Sequence, residues 1–167
     1  MCYNDRIDFL MTTKKRVGWF TFTCCEDNTI MFTELLNRYY KVWLPKIDFV
    51  HARIFRKEAG KELTPMDIAF VEGAINSDRQ AARLREIRGK AAILIAIGSC
   101  AVTGSPSNQR NAFNESQLEE IRPILKAFNY NEKTLKLSDV VTVDESVPGC
   151  PMNEQAFIDI MNKYLSS

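Results

Sequence analysis

The chain has 167 residues, 46% hydrophobic and 26% charged, with a formal net charge of +1. That size and composition suit one globular domain with a real core and exclude a disordered chain. The near-neutral balance gives no electrostatic case for nucleic acid or an anionic membrane as main partner, and no apolar run reaches the roughly 18–20 residues that a membrane span needs.

In chain order, residues 1–15 mix acids with bases and have no clean apolar core, so they read as an extension rather than a signal peptide. A cytoplasmic protein is expected, with its domain over 16–167. Residues 17–23 are aromatic and β-branched, a first strand. Residues 28–43 follow helical spacing, with Ile30, Leu35, Leu36, Tyr39 and Trp43 on one broad face and Pro45 closing the helix. Residues 47–55 read as a second strand, "KEAGKELTP" as a solvated loop, and 67–75 as a third strand ending near Gly73.

Ser77 and Gln80 form a capping-box pattern ahead of a helix that Gly89 closes. Residues 91–100, "AAILIAIGSC", are nearly continuously apolar, as in the buried middle of a parallel sheet. Ser116 and Glu119 pattern as a second capping box before a helix carrying Pro123. Residues 140–145 read as a last short strand. Asn153 caps a terminal helix with Phe157, Ile160, Met161 and Tyr164 on one face. Strand and helix alternate, which predicts a doubly wound α/β sandwich with a mainly parallel sheet. Right-handed crossovers then place every β→α loop on one edge, where ligands of such sheets bind.

The five cysteines are Cys2, Cys24, Cys25, Cys100 and Cys150. In a reducing compartment thiols serve as metal ligands, catalytic groups or small hydrophobes. The odd count and the strain of pairing neighbours argue against disulfides. Cys24 and Cys25 follow the first predicted strand, Cys100 ends the strongest one, and Cys150 precedes the last helix. Single buried cysteines at strand ends are commonly plain hydrophobes. Four of five at the carboxyl edge of one parallel sheet predict a four-thiolate metal site. Zinc sites usually draw on C-x₂₋₄-C knuckles, which this chain lacks, and neighbouring thiols bite poorly on one small ion. A cubane offers separate iron corners, so the placement favours one [4Fe–4S] cluster. Helices starting after Cys25 and Cys150 would support its negative charge.

The motifs "TCC", "DIAFVEGAI", "IGSCAVTG" and "VPGCPMNEQAF", in that order, resemble the small subunit of [NiFe] hydrogenases and the related 20 kDa cluster-bearing subunit of complex I (NADH:quinone oxidoreductase). The resemblance covers roughly residues 16–165. It implies a flavodoxin-like fold and makes Cys24, Cys25, Cys100 and Cys150 the ligands of a proximal [4Fe–4S] cluster. Such a cluster relays electrons to or from a nickel–iron centre held by a large partner subunit, during H₂ oxidation or proton reduction. Glu72, in "FVEG", stands where hydrogenase small subunits carry the same glutamate. It is a candidate for the cluster surroundings or the subunit interface, against the alternative of an ordinary carboxylate at a strand end.

Hydrogenase small subunits usually carry C-x-x-C at the first site, whereas here the third residue after Cys25 is Asn28. The tandem Cys24–Cys25 is the complex I habit, while "FVEGAINSDRQ" and "GSCAVTGSPSNQRNAF" look more like cytoplasmic hydrogenases. No cysteine follows Cys150, so one cluster is expected here, with onward transfer through further iron–sulfur or flavin subunits or directly to an acceptor. A complex I-like relay towards quinone is the alternative function. A structural zinc-bearing or metal-free interaction module is a third. The fold does not itself imply flavin.

Among other residues, His51 is the single histidine and sits inside a strand pattern, which marks it as structural or surface rather than a metal ligand. Cys2 reads as a bystander. Trp19, Phe20, Phe22 and Phe32 read as core, with a face towards a large subunit as the alternative. Arg110, in the polar stretch 105–111, either pairs with a partner carboxylate or belongs to a plain surface loop. No nucleophile–base pair, phosphate loop or G-x-G-x-x-G appears, so the chain alone is not expected to make or break covalent bonds.

Overall fold

The computed structural model describes residues 14–55 and 62–166. Cys2 and most of the loop read at 57–65 lie outside them. Five strands, β1 (Lys15–Thr21), β2 (Ile47–Ala52), β3 (Met66–Glu72), β4 (Ala91–Ile97) and β5 (Glu145–Val147), form one sheet in the order β2-β1-β3-β4-β5. Every pairing is parallel. This is the flavodoxin-like order, with its switch point between β1 and β3.

Alternation along the strands divides the core in two. Val17, Trp19, Ile68, Phe70 and Ile95 face one side and Phe20, Ala69, Val71 and Leu94 the other. The first side is covered by α1 (Asp27–Arg38), α2 (Tyr40–Trp43) and α6 (Glu154–Leu165). Trp19 stacks on Phe32 of α1 at 4.3 Å between centroids, and Phe157 of α6 meets the edges of both rings. The second side is covered by α3 (Asp78–Lys90), through Leu84 and Ile87. Phe22 is partly buried against this second core, so the four aromatics are core residues.

Several predicted boundaries move. The helix read over 28–43 breaks at Tyr39 (φ −105°, ψ 15°) into α1 and α2, followed by a 3₁₀ turn, Leu44–Lys46. Its buried residues include Asn28, Thr29, Phe32, Leu35 and Leu36, so Ile30 points away and is 56% exposed. Helix α3 is capped by Ser77 as predicted, but Gln80 reaches back to the Asn76 N–H, and the helix runs through Gly89. The strongest strand stops at Ile97, because Gly98 takes φ +79° and starts the short helix α4 (Gly98–Thr103). Helix α5 (Glu115–Phe128) is capped two residues before the predicted Ser116: Asn114 and Gln117 form the reciprocal box, and Pro123 lies inside the helix.

The last strand is not residues 140–145. Val140, Val141 and Val143 pack on the second core from irregular chain, and pairing with β4 begins at Glu145. Asp144 prepares that entry. Its carboxylate accepts the Leu94 N–H at 2.7 Å while its own N–H donates to the Leu94 carbonyl at 3.0 Å. Helix α6 matches its prediction, with the Asn153 side chain accepting the Ala156 N–H at 2.8 Å. No helix among the described residues is long and apolar enough to cross a membrane.

Candidate metal centre

The parallel sheet brings its strand ends to one edge, and each predicted thiol lies there. Cys24 and Cys25 follow β1 and precede α1. Cys100 lies inside α4, two residues past the turn that ends β4, rather than at the end of the strand itself. Cys150 lies between β5 and α6. All four are free: Cys100 is buried, Cys24 intermediate, and Cys25 and Cys150 are exposed.

Backbone hydrogen bonds tie these segments together. The Phe22 N–H donates to the Glu72 carbonyl at 2.9 Å, and Thr23 exchanges bonds with Ala74 at 3.1 and 2.9 Å. The Ser99 N–H donates to the Gly149 carbonyl at 2.7 Å, fastening the Cys100 turn to the Cys150 loop. The Ser107 hydroxyl lies 3.2 Å from the Cys100 sulfur and 3.3 Å from the Thr23 carbonyl, bridging the Cys100 and Cys24 segments. Gly149 takes φ +121°, and a Cβ there would sit 2.5 Å from the Pro151 carbonyl oxygen, so the loop closes only with glycine.

The thiols are electrostatic neighbours. Burial pushes the Cys24 thiol up to about 12, with Glu72, Cys100 and Cys25 adding to the rise and the Glu26 backbone opposing it. At Cys25 a hydrogen bond from the Asp27 backbone pulls downward. Desolvation, the Asp27 side chain and Cys150 outweigh it, and the net direction is up.

Glu72 is fully buried at the end of β3. Its Oε1 accepts hydrogen bonds from the Thr21 hydroxyl at 2.9 Å and from the Thr29 hydroxyl, and the Thr29 oxygen in turn accepts the Trp19 indole N–H at 2.8 Å. Its Oε2 has no partner among the described residues. It is thus a buried carboxylate held by the chain's own hydroxyls rather than a solvated one. The helices after the thiols bring mixed electrostatics, since α1 and α6 each carry an acid in the first turn, Asp27 and Glu154.

The sequence marks Asn28 only as a missing cysteine, yet its side chain is central to the geometry. Its Oδ1 accepts the Met152 N–H at 2.8 Å, and a Cβ on Gly98 would collide with its Nδ2. His51 is structural as expected, buried and stacked on Phe20 at 4.4 Å. Arg110 donates within the chain, to the Glu132 and Asn131 carbonyls at 3.0 and 2.9 Å, as the surface-loop reading expects. A cleft of about 620 Å³ lies on the β1–β2 side of the same edge, lined by Trp19, Phe20, Glu26, His51, Arg53 and Arg83 among others, with none of the four thiols in its wall.

Among the described residues, no three His, Cys, Asp or Glu side chains gather at one ion-sized point. By donor chemistry alone, a set of four soft thiolates suits an iron–sulfur group, and the chain lacks the C-x₂₋₄-C knuckles of structural zinc.

The profile of the family described as NADH ubiquinone oxidoreductase, 20 Kd subunit, matches residues 25–164. The chain is 27% identical over 176 residues to a subunit of the F420-non-reducing hydrogenase vhu of Methanocaldococcus jannaschii, covering 94% of this chain and 58% of that one. It is 28% identical over 151 residues to the Sulfhydrogenase 2 subunit delta of Pyrococcus furiosus, covering 87% and 60%. It therefore spans less than two thirds of either relative. Among solved structures, a chain of an NAD+-reducing [NiFe]-hydrogenase in the H₂-reduced state superposes with TM-score 0.78 at 22% identity, over 92% of both chains. At that identity the likeness concerns the fold.

Proposed function

The chain belongs to the family of the NADH ubiquinone oxidoreductase 20 Kd subunit, and from that premise we propose that it is the small, electron-transferring subunit of a cytoplasmic [NiFe] hydrogenase. The observation that supports this reading is the placement of four free thiols in three segments at the carboxyl ends of strands of one parallel sheet. Cys24, Cys25, Cys100 and Cys150 hold one [4Fe–4S] cluster there. When bound, such a cluster supplies one-electron storage and release at a potential set by its charge, hydrogen bonds and exposure.

The chain's own residues do the rest. The buried Cys100 and half-buried Cys24 form the dry side of the site, and the exposed Cys25 and Cys150 form the side that a large subunit covers. Glu72 lies behind Cys24, oriented by Thr21 and Thr29. The nickel–iron centre, and with it the activation of H₂, belongs to the partner. The names of the hydrogenase relatives support this assignment.

The second reading is a complex I-like subunit passing electrons towards quinone. The tandem Cys24–Cys25 and the family's own description favour it. One experiment separates the two. The chain is purified anaerobically with its accompanying large subunit, and iron and nickel are quantified together. About four iron atoms per chain for the cluster, plus one that accompanies nickel in the partner, support the hydrogenase. Iron without nickel moves the assignment to the quinone-directed relay. A wild-type complex without iron rejects both.

A further inference from the structure

Asn28 occupies an unusual place for a polar side chain. It is 6% exposed, in the first turn of α1, three residues past Cys25. Its Oδ1 accepts the backbone N–H of Met152 at 2.8 Å, across 124 positions of chain and two residues past Cys150. Its carboxamide also fills the space over Gly98, two residues before Cys100. A Cβ at Gly98 would collide with Nδ2 and lie 2.9 Å from Oδ1, and Gly98 holds φ +79°. One side chain thus touches all three thiol-bearing segments.

We propose that Asn28 is the positioning residue of the thiol site, its carboxamide locking the Cys24–Cys25, Cys100 and Cys150 segments at a fixed spacing. The inference rests on the cluster reading above. A thiolate at this position, as in a C-x-x-C pair, would join segments through the metal group itself. Asparagine joins them through protein alone, by one buried hydrogen bond and one close packing contact. Its Oδ1 is engaged by Met152, which leaves ligation to the thiols. The tandem cysteines and the asparagine are then two parts of one arrangement. Losing the acceptor leaves the Met152 N–H buried without a partner, and the Cys150 loop is free to drift from Gly98 and Cys100.

The test uses the full chain, purified anaerobically with its companions, as wild type, Asn28→Ala and Asn28→Asp. Alanine removes the carboxamide without crowding Gly98, whereas aspartate keeps an acceptor for Met152. Three quantities are measured: iron per chain, the rate of iron loss to a chelator, and the EPR spectrum of the reduced protein. The expected result for Asn28→Ala is roughly tenfold or greater acceleration of iron loss, the scale found for residues that orient metal ligands, together with an altered EPR line shape. Asn28→Asp returns the rate to within about threefold of wild type. A melting curve of the iron-free chain accompanies each variant, because a purely structural role would lower that curve and leave the spectrum unchanged. Wild-type iron loss and spectrum in Asn28→Ala overturn the inference, as does equal damage from alanine and aspartate. A wild-type chain without iron overturns the cluster reading and this inference together, a result distinct from the other two.

Discussion

His51 carries a pH signature that follows from its surroundings. Burial pushes its imidazole below the ordinary 6.5, and Arg83 and Arg53 push in the same direction. In the unfolded chain it takes up a proton near 6.5, while in the folded chain it stays neutral to lower pH. Between those two values the unfolded chain binds more protons. Its contribution to stability is therefore complete above about pH 6.5 and is lost as pH falls towards the folded value. Denaturation midpoints measured from pH 7 to pH 5 are expected to fall more steeply for wild type than for His51→Gln, and parallel lines would contradict this. That His51 is structural was legible from "FVHARIF", since a lone histidine within an apolar alternation has no second metal ligand nearby. Asn28 was not legible. Its role depends on Met152, 124 positions away, and on the backbone of Gly98, neither of which local spacing encodes. The buried state of Glu72 was half-legible. Its position at a strand end could be read, but the Thr21 and Thr29 hydroxyls that orient it could not.

At the scale of elements, the start of α5 gives a clean discrimination. Ser116 with Glu119 and Asn114 with Gln117 both satisfy the capping-box pattern. In the structure Asn114 accepts the Gln117 N–H at 3.0 Å, and Gln117 accepts the Asn114 N–H at 2.9 Å. Asn114→Ala is therefore expected to cost about 1 kcal/mol, and Ser116→Ala less than about 0.5 kcal/mol. Chemical denaturation of the two variants decides the matter, and a larger loss at Ser116 would place the cap where the sequence pattern first put it. Periodicity located the long elements well, above all the apolar β4 and the amphipathic α6, whose core contacts repeat at helical spacing. It failed where short-range rules offered two solutions. The valines of 140–143 have strand character, yet they are drawn onto the second core from irregular chain, and the true pairing with β4 waits for Asp144 to satisfy Leu94. Likewise nothing apolar ends at Ile97. The backbone turn at Gly98 ends the strand and carries Cys100 into α4.

For the molecule as a whole, the sheet order explains why the thiol-bearing segments share one edge. Parallel strands send every carboxyl end to one edge, so the junctions after β1, β4 and β5 meet there although their cysteines are far apart in sequence. β3 lies between β1 and β4 and ends at Glu72 on the same edge. That these junctions share one edge was readable from alternating elements and the right-handed crossover rule, and the spacing of the thiols was not. A group bound by all four thiols would close two long loops of chain, one from the tandem cysteines to Cys100 and one from Cys100 to Cys150. Metal binding of this kind adds to folding stability and should do so locally. The expected consequence is a regional one. Removing iron anaerobically from the purified complex should raise amide hydrogen exchange by about tenfold or more over residues 23–28, 98–104 and 148–153. Helix α5, capped by its own side chains, and β2, on the sheet's far border, should keep their exchange rates. Hydrogen-exchange mass spectrometry before and after chelation measures this directly. A uniform rise across the chain would mean that the cluster holds up the whole fold rather than one edge. No rise at all would mean that Asn28 and the backbone bonds of Ser99 and Thr23 hold the segments without it.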